Sequence, residues 1–131
     1  MKSPSEHDEQ VTFCKYLDFV HVTYFAIPNG TFLSGTALQR AKQMNRLKKE
    51  GLKNGVPDLC LLFEGGKSVY IEMKKAKGGT VSKDQKEWLE RLRVLGFDAY
   101  VCKGAAEAIE VVKKYLKDDK KSLNAKQGSL L

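Results

Sequence analysis

The chain has 131 residues, 42% of them hydrophobic and 30% charged. That balance belongs to one folded domain with a real core, and it excludes a disordered chain. No apolar run approaches the roughly 18 residues of a membrane span, and residues 1–10 are too polar and acidic for a secretory leader, so a cytoplasmic location is expected. Lys and Arg total 23 against 16 Asp and Glu, a net charge of +7, and a basic surplus on a small domain points to a polyanionic partner. The cysteines, Cys14, Cys60 and Cys102, are odd in number and lack metal or disulfide spacing; each reads as a small buried hydrophobe. With only His7 and His21, imidazole-based metal sites and Ser-His-Asp chemistry are disfavoured.

In chain order, Ser3-Pro4-Ser5-Glu6 reads as a helix start, with Ser3 as N-cap, Pro4 at N1 and Glu6 at N3. This helix is expected to reach about Phe19, with Val11, Cys14 and Leu17 on one face. Residues 23–27 read as a strand, closed by the turn Pro28-Asn29-Gly30. Gly35-Thr36 opens a second helix, with Gln39 placed for a capping box and Gly51 as a C′ residue. This helix and its exit carry Arg40, Lys42, Arg46, Lys48, Lys49 and Lys53 against Glu50 alone. A charge concentration of this kind is more often a phosphate-binding face than a merely solvated one.

Residues 56–63 make the clearest strand, apolar on both faces, and so expected inside a sheet covered on both sides. A turn at Glu64-Gly65-Gly66-Lys67 leads to a returning strand over 68–74. Ser82 begins a third helix with Trp88, Leu89, Leu92 and Leu95 inward and Gly96 at its end. Residues 97–102 form a further strand and 104–116 a last helix. The order is α-β-α-β-β-α-β-α. Residues 1–117 are read as the domain, and 118–131, polar and aperiodic, as a flexible C-terminal tail.

Asp58 interrupts an apolar strand, where a lone carboxylate is costly unless paired or metal-bound. Glu72 and Lys74 lie two apart on the returning strand and therefore share a face. Register decides whether Asp58 joins them. A strict two-residue loop would set Asp58 opposite Met73, facing away. A three-residue loop, 64–66, sets it opposite Glu72, and Gly66 suits the left-handed residue that ends such a loop. Spacing permits both; the three-residue loop is expected because the chemistry requires it. Two carboxylates so placed repel unless a cation lies between them, and oxygen ligands suit Mg²⁺ or Mn²⁺. Such an ion can polarise a phosphodiester, while Lys74 positions or helps deprotonate a water or neutralises developing charge. A purely structural Asp-Lys-Glu ion cluster has the same spacing.

Gly55-Val56-Pro57-Asp58 followed by Ile71-Glu72-Met73-Lys74 resembles the PD-(D/E)xK nuclease superfamily. The flanking pieces resemble its VRR-NUC branch: Glu6 and Gln10 in the first helix, Pro28-Asn29-Gly30, Leu59 after the Gly-Val-Pro-Asp run, and Gly79 through Ser82 to Gln85 ahead of Trp88-Leu89. Together they span residues 5–116 in the expected order. The resemblance implies an α/β/α sandwich around a central mixed β-sheet, a restriction-endonuclease-like core. It implies that Asp58, Glu72 and the backbone carbonyl of Met73 bind the metal, and that Lys74 is the catalytic lysine. Glu6 corresponds to the first-helix acid that reaches the metal directly or through water, with Glu9 as a weaker substitute; N3 of a capping box would also explain a Glu there. Gln85 corresponds to the helix glutamine of the family's site, although a capping box with Ser82 accounts for it equally. Asn29 is expected to touch substrate, and Lys75 and Lys77 to join Arg40, Lys42, Arg46, Lys49 and Lys53 in a basic rim for the DNA backbone.

The activity so implied is Mg²⁺-dependent hydrolysis of DNA phosphodiesters by in-line attack of water. Minimal VRR-NUC chains resemble stand-alone homodimers that cut branched DNA, including four-way (Holliday) junctions, in the cytoplasm of a bacterial or phage-infected cell. No membrane and no small-molecule cofactor beyond the metal are expected. Two other readings stand beside this one. A sequence-specific restriction-type endonuclease would need base-reading loops longer than these. A non-catalytic DNA-binding module of the same fold would not need the intact Asp58, Glu72, Lys74 set.

Overall fold

A computed structural model describes residues 2–28 and 33–129, with side chains described to residue 118. Its elements are α1 (Glu6–Phe19), β1 (Thr23–Ala26), α2 (Ala37–Lys49), β2 (Leu59–Phe63), β3 (Lys67–Lys74), α3 (Lys83–Val94), β4 (Asp98–Lys103) and α4 (Ala105–Ser129). The strands form one mixed sheet in the order β1-β2-β3-β4. β2 runs antiparallel to both β1 and β3, whereas β4 runs parallel to β3, the arrangement that a crossover helix such as α3 allows.

One face of the sheet carries the larger core. Phe13 and Leu17 of α1 and Ala108, Val112 and Tyr115 of α4 pack on Leu59, Leu61, Phe63, Val69, Ile71 and Met73. Burying each large side chain there contributes roughly 1.5–3 kcal/mol. On the other face Leu89 and Leu92 of α3 pack on Ala99, with Tyr70, Trp88 and Val101 at the edge. The result is the expected α/β/α sandwich. Cover on the second face is incomplete: β2 was expected to be buried on both sides, but Leu62 is 40% exposed and Phe25 of neighbouring β1 is 50% exposed. α3 packs against Tyr70 of β3 and Ala99 and Val101 of β4, and α2 buries none of its residues, so among the described residues no helix shields Leu62 as α1 and α4 shield Leu61. Leu95, read as inward, is the C-cap of α3 and is exposed. In α1, Phe13 rather than Val11 joins Leu17 in the core.

The helix ends follow side-chain capping. α2 and α3 begin with the expected boxes, Thr36 with Gln39 and Ser82 with Gln85. α1 begins two residues later than expected: Ser5 is the N-cap, its hydroxyl accepts from Asp8 N–H, and the Asp8 carboxylate accepts from Ser5 N–H, each at 3.1 Å. That start puts Glu6, Asp8 and Glu9 together in the first turn, where the positive end of the helix dipole favours them. At its other end Val22 N–H donates to Leu17 O and His21 N–H to Asp18 O, a Schellman closure that places His21 at a left-handed φ of 61°.

α4 runs to Ser129, beyond the expected end at Leu116. Lys, Leu, Ala and Gln are good helix formers and no proline intervenes in that stretch, so the backbone hydrogen-bond pattern continues where the apolar periodicity stops. Among the described residues no helix is long and apolar enough to cross a membrane.

Candidate active site

The hairpin between β2 and β3 sets the site. Phe63 pairs with Lys67, leaving Glu64-Gly65-Gly66 as a three-residue loop. Gly65 and Gly66 both take positive φ, 79° and 74°, which an L side chain rarely adopts. Pairing then runs from Phe63 opposite Lys67 to Leu59 opposite Ile71. One residue further, Asp58 comes beside Glu72, on the register that the three-residue loop was expected to produce. β2 itself starts at Leu59 rather than at Val56, since Pro57 has no N–H for the ladder. The Asp58 carboxylate nevertheless stays tied to β3, accepting the Met73 N–H at 2.8 Å. Its carbonyl accepts Ile27 N–H on the opposite side, also at 2.8 Å.

Glu72 is 1% exposed and Lys74 6%. Both side-chain oxygens of Glu72 are buried without a hydrogen-bond partner among the described residues. Burial, then the neighbouring Asp58 carboxylate, pushes its carboxyl up to about 9; the Lys74 ammonium pulls the other way, and Glu6 adds a smaller push upward. A buried carboxyl with two empty acceptor oxygens, another carboxylate beside it and an ammonium two residues along is costly as pure architecture. It is the arrangement expected where pKa perturbation marks a functional site.

Three glycines let loops close around this cluster. Gly55, at φ 84°, places its α-carbon so close to the start of α3 that a β-carbon would lie 2.6 Å from the Asp84 carbonyl carbon. The turn that delivers Asp58 thus rests on that helix. A β-carbon on Gly79 would lie 3.0 Å from the Lys74 β-carbon, so the β3–α3 loop passes directly over the lysine. Gly104, at φ 87°, has the Glu9 carboxylate against it and donates its N–H to Lys74 O at 2.8 Å.

The other residues singled out in the sequence fall as follows. Glu6 is exposed at the first position of α1. Because Asp8 fills the capping box, capping does not explain Glu6; its charge is felt at Glu72. Among the described residues no three His, Cys, Asp or Glu side chains gather tightly enough to enclose a metal, so Asp58 and Glu72 stand as a pair. The Gln85 side-chain oxygen accepts Ser82 N–H at 2.9 Å, which commits it to the capping box. Asn29 lies outside the described residues. Arg40, Lys42, Arg46, Lys49, Lys53, Lys75 and Lys77 are all exposed. Sequence reasoning overlooked the structural duties of Gly55 and Gly104; the only signal for them was a glycine directly before or after a strand.

With this geometry in place, the model of the VRR-NUC domain matches residues 6–106. The chain belongs to the VRR-NUC family. It is also similar to a solved VRR_NUC domain protein, at 26% identity with a TM-score of 0.64, covering 88% of this chain and 91% of that one. No curated protein sequence matches the chain. A VRR-NUC domain is a nuclease-type fold, and its four-stranded sheet here presents Asp58, Glu72 and Lys74 together.

Proposed function

We propose that this VRR-NUC chain is a Mg²⁺- or Mn²⁺-dependent DNA endonuclease, its active unit being residues 1–117. The observation that carries the reading is the buried, unpartnered Glu72 carboxyl beside Asp58, with Lys74 on the same strand face. Once that carboxyl gives up its proton, its oxygens would be the hard, anionic donors that a small divalent cation takes, and Mg²⁺ needs only one or two carboxylates because it keeps several waters. Asp58, Glu72 and the Met73 carbonyl would hold the cation, with Glu6 reaching it through water. A cation there supplies Lewis-acid activation of the scissile phosphodiester.

The chain's own residues do the rest. The Met73 N–H fixes the Asp58 carboxylate in place. Lys74, buried and crossed by the Gly79 loop, presents an ammonium that orients the attacking water or neutralises charge developing on the phosphate. Gln85 steadies the start of α3, on which the Asp58 turn rests, and from that position serves the site. Arg40, Lys42, Arg46, Lys49, Lys53, Lys75 and Lys77, together with Asn29, bind the DNA backbone, supplying affinity without sequence choice.

The substrate is branched DNA, including four-way junctions, and the enzyme is a homodimer in the cytoplasm; family resemblance supports this part. One site cuts one strand, and a two-fold assembly supplies the second cut of a symmetric junction. The test is cleavage of an end-labelled four-way junction beside a linear duplex of the same sequence, with Mg²⁺ and with chelator. Paired metal-dependent nicks in the junction alone are expected. Equal cutting of the duplex would remove branch selectivity, and no cutting of any DNA would remove the nuclease.

A further inference from the structure

A recess of about 310 Å³ opens beside the turn that delivers Asp58, lined by Asn54, Asp84, Glu87, Trp88 and Arg91. Its size suits a small planar ligand. Asn54 directly precedes Gly55, whose α-carbon abuts the Asp84 backbone, so the recess and the candidate active site share one loop. Trp88 is half-buried: it packs at the edge of the Leu89, Leu92 and Ala99 cluster and also lines the recess. The other four side chains are exposed, which leaves the recess open to solvent.

The lining is selective in its chemistry. Asp84 and Glu87 outnumber Arg91, so the rim is net negative and repels a phosphate. The same carboxylates accept hydrogen bonds from exocyclic amino groups, as acidic side chains do from the cytosine amine, and the Asn54 amide both donates and accepts. An indole face offers the stacking platform that any base can use.

We propose that this recess takes one unpaired nucleobase, stacked against Trp88 and read at its amino edge by Asp84, Glu87 and Asn54. It rests on the nuclease reading for its ligand being DNA, and it gives branched DNA a physical advantage, because a branch offers an unstacked base without the cost of opening a duplex. Cytosine, adenine and guanine fit this edge; thymine, with no amino group, does not.

Trp88 is the chain's sole tryptophan, so its fluorescence reports the recess alone. The metal-free protein is titrated with short strands of oligodeoxycytidine, oligothymidine and an abasic backbone of the same length, while anisotropy of a labelled strand reports binding independently. The cytidine strand is expected to quench Trp88 and to bind on the order of fivefold tighter than the thymidine strand. The abasic strand is expected to leave emission unchanged. Glu87→Gln, an exposed change, should narrow the cytidine–thymidine gap. Trp88→Leu, which keeps apolar packing, should weaken the cytidine strand by roughly tenfold and leave the abasic strand as it was.

Equal emission changes with the cytidine and abasic strands, or binding by anisotropy with no emission change, overturn the base site. If Mg²⁺-dependent cleavage persists in that case, the nuclease reading stands without it. Quenching and cytidine preference in a protein that cuts no DNA would keep the recess and remove the nuclease. Absence of binding by every strand overturns the base site and leaves the nuclease reading to the cleavage of branched DNA.

Discussion

Met73 donates its backbone N–H to the Asp58 carboxylate across 2.8 Å, so the strand that carries Glu72 and Lys74 also anchors the aspartate beside them. A two-residue hairpin would have sent Asp58 to the other face of the sheet. The three-residue loop ending at Gly66 is therefore as much a part of the site as the carboxylates are.

The unpartnered Glu72 carboxyl is a burden on the fold that a cation would relieve. Glu72→Gln, which keeps the shape and lowers the desolvation cost, should stabilise the metal-free protein by about 1–3 kcal/mol. Mg²⁺ or Mn²⁺ should raise the melting temperature of the parent and not that of the variant. Thermal melts of both proteins, with and without metal, measure this. A variant less stable than its parent and still raised by metal would show that Glu72 is not a ligand.

The exposed cations of α2 should act on DNA affinity alone. Lys42 and Lys49 bury nothing, so Lys42→Ala combined with Lys49→Ala should leave the melting temperature unchanged. The slope of log affinity against log salt should fall by roughly 0.9 for each duplex phosphate that the variant no longer neutralises. Binding titrations of a metal-free sample across a salt series give the slope, and an unaltered slope would remove α2 from the DNA-binding surface.

Acid stability should depend on a cluster far from the candidate site. The Tyr115 hydroxyl donates to the Asp98 carboxylate, with Lys67 at 3.1 Å. The Tyr115 hydrogen bond first, and then Lys67, hold Asp98 below the ordinary carboxylate range. A carboxyl whose pKa is depressed by folding contributes stability above its unfolded value, near 3.8, and loses it as pH falls through the folded value. Tyr115→Phe should therefore flatten the decline in stability on the acid side of about pH 5. Urea melts from neutral pH downward would show it, and an unchanged acid limb would count against the linkage.

His21 holds a left-handed backbone at the end of α1 with φ at 61°. Glycine meets no steric cost there, so His21→Gly should raise stability by about 1 kcal/mol without altering cleavage. A lower melting temperature would mean that the imidazole has a role the backbone geometry does not reveal.

The order of elements was legible because apolar period and glycine punctuation agreed at nearly every boundary. The hairpin register was not fixed by the residues alone: Gly66 suits a three-residue loop without excluding a two-residue one, and only the chemistry that needs Asp58 beside Glu72 chose between them. The start of α1 was not: Ser3 and Ser5 each precede an acid by three residues, and both are sound boxes locally. Only the acids gathered in the first turn favour Ser5. The open face at Leu62 and Phe25 was hidden as well, since an apolar residue reads the same whether or not a helix comes to cover it. The close approaches of Gly55 to Asp84 and of Gly79 to Lys74 are tertiary facts that a sequence registers only as glycines.

The most direct test of the central claim is cleavage of an end-labelled four-way junction by the parent and by Lys74→Ala, each with Mg²⁺ and with chelator. The parent should cut only with metal, and the variant should be slower by on the order of 10²–10⁴-fold, with circular dichroism showing that it still folds. Cutting by Lys74→Ala at the parent rate, or by the parent in chelator, would contradict the assignment of Asp58, Glu72 and Lys74 as a metal-dependent nuclease site.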